Sequence, residues 1–179
     1  MKHFVLLLAL AAPAAFAAPA QAADLATIGC IASRIELPVR AQVAIDVERN
    51  LNSPGAPATY DPRVTAALNL AGKICADQNG WSEAALKPAM LYALASLGWP
   101  TAQKIATERG FDMGALEDAW AAVPEEKRNH PLVQTDYQEL IRGFITDEAL
   151  QTRENAELVK QCFGFLSVIQ YSSYAFSQA

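Results

Sequence analysis

A glycine followed by an aromatic residue recurs three times in the middle of this chain, and it constrains the fold more than any other feature. The pairs separate helix-like runs and are Gly80-Trp81, Gly98-Trp99 and Gly110-Phe111. Glycine adopts the left-handed conformation that ends many helices, and an apolar residue just beyond it packs back onto the last turn. A residue suited to the start of a helix follows each pair: Ser82, Pro100 and Asp112. The pattern predicts three corners, each with a ring wedged between two short helices.

Apolar residues elsewhere in the chain also recur at helical spacing. Val43, Val47 and Leu51 fall on one face after Pro38, and Asp61-Pro62 is a strong helix start. The segment after Thr152 is apolar nearly all round, which is typical of a buried helix. No stretch alternates with a period of two. The sequence therefore predicts an all-α fold, a single compact domain of about six to seven short helices joined by Gly-aromatic and Pro-marked corners.

The N-terminus predicts export. Lys2 precedes an apolar, alanine-rich run over residues 4–18, and Ala20-Gln21-Ala22 fits the small-x-small pattern of a cleavage site. The run is shorter than the roughly 20 residues of a spanning helix; Pro13 interrupts it and Pro19 follows it directly. We interpret residues 1–22 as a secretory signal peptide and 23–179 as the helical domain, in the periplasm or secreted. An acylated Cys30 is the lipoprotein alternative.

Charge limits the partners of the mature domain. Lys2 is the one basic residue in the predicted signal peptide, which leaves 13 basic and 19 acidic residues, a net charge of −6. Both signs are scattered, without a basic stripe or a basic amphipathic helix. Nucleic acid is therefore not expected as a partner, and no transmembrane anchor is expected in the mature chain.

Three cysteines remain after cleavage, and two of them are expected to pair in an oxidising compartment. Cys162 lies in an apolar run, where a thiol behaves as a small buried hydrophobe. This favours Cys30–Cys75, although the sequence leaves all three pairings open. A bridge over that span stabilises the fold by about 4 kcal/mol in the loop-entropy model.

Few residues in the mature chain are suited to catalysis. His130 is its one histidine, which excludes zinc sites that need two, and Cys-x-x-Cys, Gly-x-Ser-x-Gly and phosphate-binding glycine loops are absent from the sequence. His130 lies at a predicted helix start, where a solvated residue is the simpler interpretation. We assign no catalytic, cofactor or metal residue, and whether the protein is an enzyme stays uncertain, leaning to no.

Carboxylates alone support glycan cleavage when two acids flank the scissile bond. The candidates in this chain are Glu83, Glu108, Asp112, Glu117 and Asp118. Most of them fall on polar helix faces beside lysine or arginine, so solvated surface acids are the favoured interpretation. A catalytic acid needs a raised pKa, and the pattern does not indicate the burial that would raise it.

Large aromatic side chains suggest one further site. Four of them are candidates to line a groove for a sugar, lipid or peptide: Trp81, Trp99, Phe111 and Trp120. Core wedges at helix corners are the favoured interpretation. The sequence favours an exported, non-catalytic binding or interaction protein of the cell envelope, with an unknown protein or small-molecule partner. The alternatives are a carboxylate-dependent, glycan-cleaving enzyme of the cell wall and a structural or stress-protective envelope protein.

Overall fold

The computed structural model describes residues 22–179, which form eight α-helices and two single 3-10 turns, with no strand in that range. The helices are α1 Cys30–Arg34, α2 Leu37–Leu51, α3 Pro62–Asn79, α4 Glu83–Glu108, α5 Met113–Ala121, α6 Glu125–Arg128, α7 Gln134–Phe144 and α8 Arg153–Ser177. The all-α prediction is confirmed, and the helices form one compact unit. The predicted signal peptide, apart from Ala22, lies outside the described residues.

Helix starts follow the capping residues in the sequence. The Asp61 carboxylate accepts a hydrogen bond from the Arg63 amide at 2.8 Å, with Pro62 as the first residue of α3. Ser82 Oγ accepts from the Ala85 amide at 3.1 Å, and Thr152 Oγ1 caps α8 in the same way. Each cap provides an acceptor for an amide that has no partner within the helix. These predicted starts are confirmed.

Two of the three glycine corners are present. Gly80 and Gly110 have φ of +65° and +87°, the left-handed region that glycine adopts without steric cost. The following amides, of Trp81 and Phe111, bond back to carbonyls of the preceding helices, each at 3.0 Å. Both rings are buried in the core, as expected of a residue that packs back over a helix end.

The third corner was predicted wrongly, because α4 continues through Gly98-Trp99-Pro100 to Glu108. A Cβ atom at Gly98 would lie 2.8 Å from Phe165 Cε1 and 2.9 Å from Val47 Cγ2. Gly98 therefore permits the close approach of α2 and α8 to α4 and does not end a helix. Pro100 removes one helical hydrogen bond, and the packing of this segment outweighs that loss. Residues 22–179 thus contain eight helices, and α4 and α8, with 26 and 25 residues, are not short.

Helices α4 and α8 form the centre of the fold. They run antiparallel: Ser82, before α4, donates to the carbonyl of Ala179, beyond α8, and Gly98 lies against Phe165. The side of α4 that faces the core carries small residues, which let neighbouring helices approach closely. These fully buried alanines are Ala85, Ala89, Ala93, Ala102 and Ala106. Larger buried side chains of α8, including Phe163 and Phe176, fill the space around them.

A disulfide joins α1 to α3. It links Cys30 and Cys75, whose Cα atoms are 6.0 Å apart and whose sequence separation is 45 residues. The favoured pairing is confirmed. Cys162 is free and buried, and burial raises the pKa of its thiol to about 12, so it stays protonated. Within residues 22–179, no helix combines the length and apolar character needed to span a membrane.

Candidate functional site

A cavity of about 430 Å³ lies where α2, α4 and α8 diverge, beside the Gly98 crossing. Residues 52–61, which connect α2 to α3 and which we call the strap, form part of its wall together with Tyr137 of α7. The lining residues of α2 and the strap are Val47, Asn50, Leu51, Ala56, Ala58 and Tyr60. Those of α4 are Leu91, Leu94 and Ala95, and those of α8 are Glu157, Lys160, Gln161, Gly164, Phe165 and Val168.

Helix α8 presents a graded surface to this cavity. Its lining residues are spaced three or four apart, so they share one face of the helix. The face begins with the polar residues Glu157, Lys160 and Gln161 and ends with the apolar Phe165 and Val168. At 1.5 Å per residue, it extends over roughly 16 Å. Polar and apolar groups thus occupy opposite ends of this wall.

Glu157 and Lys160 form an ion pair at the polar end. The Lys160 ammonium lies 3.4 Å from a Glu157 carboxylate oxygen, and the two side chains are 34% and 27% exposed. At this exposure water screens much of their attraction, so the pair adds little to stability. It does place one positive and one negative group together beside a largely apolar cavity.

Two tyrosines bring hydroxyl groups to the cavity. Burial raises the pKa of Tyr60, and the charge of nearby Asp46 raises it further. Burial also raises the pKa of Tyr137. Both phenols therefore stay neutral around pH 7 and can donate a hydrogen bond. Tyr137 Oη lies 3.7 Å from the position that a Cβ atom of Gly164 would occupy.

The strap is anchored by Asp46, a fully buried carboxylate of α2. Its oxygens accept hydrogen bonds from the Asp61 amide at 2.7 Å, from Arg49 Nη1 at 2.7 Å and from Gln42 Nε2 at 3.1 Å. Burial raises the pKa of Asp46, but the three hydrogen bonds favour the ionised form and leave the pKa below its ordinary value. The carboxylate is therefore charged around pH 7 and holds the end of the strap against α2.

A second set of bonds fixes Thr59. Arg49 Nη2 donates to the Thr59 carbonyl at 2.6 Å, and Asn50 Nδ2 donates to the same oxygen at 3.0 Å. The Thr59 amide donates in return to Asn50 Oδ1 at 3.2 Å. Since Asn50 and the neighbouring Ala58 and Tyr60 all line the cavity, these bonds determine the position of its wall.

The four aromatic residues singled out in the sequence lie elsewhere. Trp81, Phe111 and Trp120 are buried in the core, with 9%, 5% and 7% of their surfaces exposed. Trp99 is partly buried, and its ring centroid is 6.3 Å from that of Phe165, which lines the cavity. None of the four is among the described lining residues. Their role in ligand binding stays a prediction.

The carboxylates considered for glycan cleavage are all exposed: Glu83, Glu108, Asp112, Glu117 and Asp118. Glu108 lies 3.8 Å from Lys104, and Asp112 caps α5. His130 is also exposed, with its ring 6.2 Å from that of Tyr174. None of these side chains lines the cavity, where Glu157 is the one carboxylate among the described lining residues. The described part of the chain holds no cluster of three His, Cys, Asp or Glu side chains arranged to bind a metal.

A second depression, of about 750 Å³, lies between α7 and the start of α8. Its lining residues are Gln138, Ile141, Arg142, Ile145, Thr146, Gln151, Thr152, Arg153 and Ala156. Although it is larger, most of these side chains are exposed, including both arginines. It is a surface depression, and the smaller cavity matches a binding site better because more of its lining is apolar and few of its lining residues are exposed.

The residues of the polar end were missed in the sequence. One signal was present: Glu157 interrupts the apolar surface of the last helix, and Lys160 and Gln161 follow it three and four residues later, on the same face. Asn50 and Tyr60 gave no comparable signal, because the fold alone brings them to α8. No family model, curated protein or solved structure matches the chain.

Proposed function

We propose that this protein is an exported binding protein that takes a small molecule with an apolar body into the cavity between α2, α4 and α8. The observation that carries this proposal is the cavity itself. Its volume lies within the range of about 300–1,000 Å³ that small-molecule sites occupy. Most of its walls are apolar, and a few polar groups converge at one end, the usual composition of such a site.

The chemistry of the lining residues supports binding without catalysis. Glu157 is paired with Lys160 at 3.4 Å, and glycan cleavage needs a second acid across the bond to be cleaved. The tyrosine hydroxyls are neutral hydrogen-bond donors, suited to orienting a ligand. Cys162 of α8 is not among the described lining residues, and because it is protonated and buried it is a poor nucleophile.

Two features support export. The first 22 residues have the composition of a secretory signal peptide. The Cys30–Cys75 disulfide is typical of proteins in oxidising compartments. We therefore propose cleavage after Ala22 and a location in the periplasm or outside the cell. Mass spectrometry of the exported protein should give a chain that begins at Ala23 or Asp24, and an acylated Cys30 at the N-terminus would contradict this.

Binding is tested with N-phenyl-1-naphthylamine, an uncharged apolar probe whose fluorescence rises when it leaves water. We expect saturable binding to the wild-type domain and its loss in Gly164→Leu, because the new side chain occupies the cavity. Gly143→Leu is the matched control. Gly143 also lies in a helix, but a Cβ atom there would meet nothing within 4 Å, and the residue does not line the cavity.

The two variants separate cavity binding from surface adsorption. Both should fold, because leucine has a better helix propensity than glycine. Equal probe binding by Gly164→Leu and Gly143→Leu would mean that the probe lies outside the cavity. A wild-type domain that binds no probe would refute the proposed function.

A further inference from the structure

The polarity of the cavity indicates what kind of molecule fits it. Glu157, Lys160 and Gln161 occupy one end of the α8 face, and Asn50 also lines the cavity. The apolar residues Leu91, Leu94 and Val168 line it as well. None of the described lining residues on α4 is charged. A molecule with a polar head and an apolar chain satisfies both parts, whereas a wholly apolar molecule leaves the polar end without partners.

The charge of the head group follows from the Glu157–Lys160 pair. Their charged atoms are 3.4 Å apart, so a head group that reaches one also lies near the other. An anion is attracted by Lys160 and repelled by Glu157, whereas a cation is attracted by Glu157 and repelled by Lys160. A head group without net charge accepts a hydrogen bond from the ammonium and donates one to the carboxylate, and the ion pair remains intact.

On these grounds, and resting on the proposed function, we infer that the cavity binds a single-chain amphiphile whose head group carries no net charge. The head group lies against Glu157, Lys160 and Gln161, and the chain runs towards Leu91, Leu94 and Val168. Gln161 and Asn50 carry amide side chains, which suit a head group that both donates and accepts hydrogen bonds. The Glu157–Lys160 pair is the specificity determinant.

The test measures how three compounds with the same chain displace N-phenyl-1-naphthylamine at neutral pH: octanamide, octanoate and octylammonium, each below its aggregation concentration. We expect octanamide to bind about fivefold more tightly than either ion, the factor that one partly exposed charge contact contributes. Equal affinities for all three compounds, or a preference for one ion, would overturn the inference and leave the binding function standing.

Two variants change the preference in opposite directions. Glu157→Gln removes the carboxylate, so the Lys160 charge has no partner, and the preference should move to octanoate, again by about fivefold. Lys160→Met removes the ammonium, so the Glu157 charge has no partner, and the preference should move to octylammonium. The matched control is Glu108→Gln, which breaks the exposed Lys104–Glu108 pair on α4, away from the cavity, and should leave the preference unchanged.

A further variant guards against misfolding. The double exchange Glu157→Lys with Lys160→Glu restores a neutral pair and should restore the preference for octanamide. Probe affinity reports the state of the cavity in each variant. Normal probe binding without any change in head-group preference would show that the pair does not select the head group. If the wild-type domain does not bind the probe, the proposed function fails first.

Discussion

Two glycines in the central helices, Gly98 of α4 and Gly164 of α8, stand in opposite surroundings. At Gly98 a Cβ atom would lie 2.8 Å from Phe165 Cε1 and 2.9 Å from Val47 Cγ2, closer than real Cβ atoms approach. At Gly164 a Cβ atom would have Tyr137 Oη as its nearest neighbour, at 3.7 Å, an ordinary contact. The same three helices, α2, α4 and α8, contact one another tightly at the crossing and leave about 430 Å³ beside it.

The difference shows that the cavity is a local feature of a tightly packed fold. Phe165 and Val47 belong to both places, since each contacts the Gly98 position and lines the cavity. The crossing fixes these two side chains, and the strap closes part of the wall through Asp46 and Arg49. Wall groups that are already held in place need little ordering when a ligand binds, which favours binding.

The largest expected effect is on the free energy of unfolding of the whole domain, and it comes from a substitution that changes neither Gly98 nor Gly164. Removal of the disulfide by Cys30→Ser should lower the free energy of unfolding by about 4 kcal/mol, because the unfolded chain regains the freedom of the closed loop. Urea titration measures the change, and probe affinity of the folded protein should stay the same. A loss of probe binding by folded Cys30→Ser would show that the bridge also shapes the cavity.

Reductant provides the control for the disulfide. Addition of dithiothreitol should destabilise the wild-type protein and Cys162→Ser to the same extent, and it should leave Cys30→Ser unchanged. The buried Cys162 thiol has no part in the bridge. A Cys162→Ser protein that no longer responds to reductant would contradict the observed pairing.

Gly98→Ala tests the packed side of the comparison. The added methyl group overlaps the Phe165 ring and the stiff, β-branched Val47, so we expect a loss of about 1–3 kcal/mol despite the better helix propensity of alanine. Chemical denaturation measures it. In a double-mutant cycle, Phe165→Leu should recover part of this loss, because a smaller and more flexible side chain makes room. Strictly additive effects would mean that the close approach to Phe165 is not the cause.

Asp46→Asn tests whether the strap, residues 52–61, holds its part of the cavity wall in place. An amide keeps one oxygen for the Asp61 amide and loses the charge that holds Arg49, so we expect about 1–3 kcal/mol of destabilisation at neutral pH. Probe affinity should fall as well, because Thr59 and Tyr60 lose their fixed positions. Unchanged probe affinity in a destabilised Asp46→Asn protein would show that the strap does not shape the cavity.

The effect of Asp46→Asn should depend on pH. The folded-state pKa of Asp46 is below its ordinary value of 3.8, so ionisation stabilises the fold above that value. The stabilisation is lost as the pH falls through the lowered pKa. The difference in unfolding free energy between wild type and Asp46→Asn should therefore be constant from pH 7 down to about pH 5 and shrink below about pH 4. Guanidinium titrations over this range measure it.

Gly164→Ala gives the smallest expected effect and has the opposite sign to Gly98→Ala. A methyl group there meets only an ordinary contact, so the better helix propensity of alanine should stabilise the protein by up to about 1 kcal/mol. Thermal unfolding should show a higher midpoint, and the small methyl group should leave probe binding largely intact. A lower midpoint would show that the space beside Gly164 is smaller in solution than in the structure.

Local chemistry allowed much of the helical layout to be predicted from the sequence. The caps Asp61, Ser82 and Thr152 and the helix-ending glycines Gly80 and Gly110 act through backbone groups a few residues away. The same holds for the apolar residues of α8 such as Leu158, Val159 and Phe163, whose helical spacing predicts the buried side of that helix. The Cys30–Cys75 pairing was favoured because the surroundings of Cys162 in the sequence were apolar.

The tertiary structure alone decided two features: that Gly98 permits a close approach of helices and does not end one, and where the cavity lies. Gly98-Trp99-Pro100 has the same local signature as the two real corners, but Val47 and Phe165, distant in sequence, need the space that a side chain would occupy. The cavity likewise depends on Asn50, Tyr60 and Glu157, which only the packing of α2, the strap and α8 brings together. Helix ends are determined by neighbours along the chain, whereas close approaches and cavities are determined by neighbours in space.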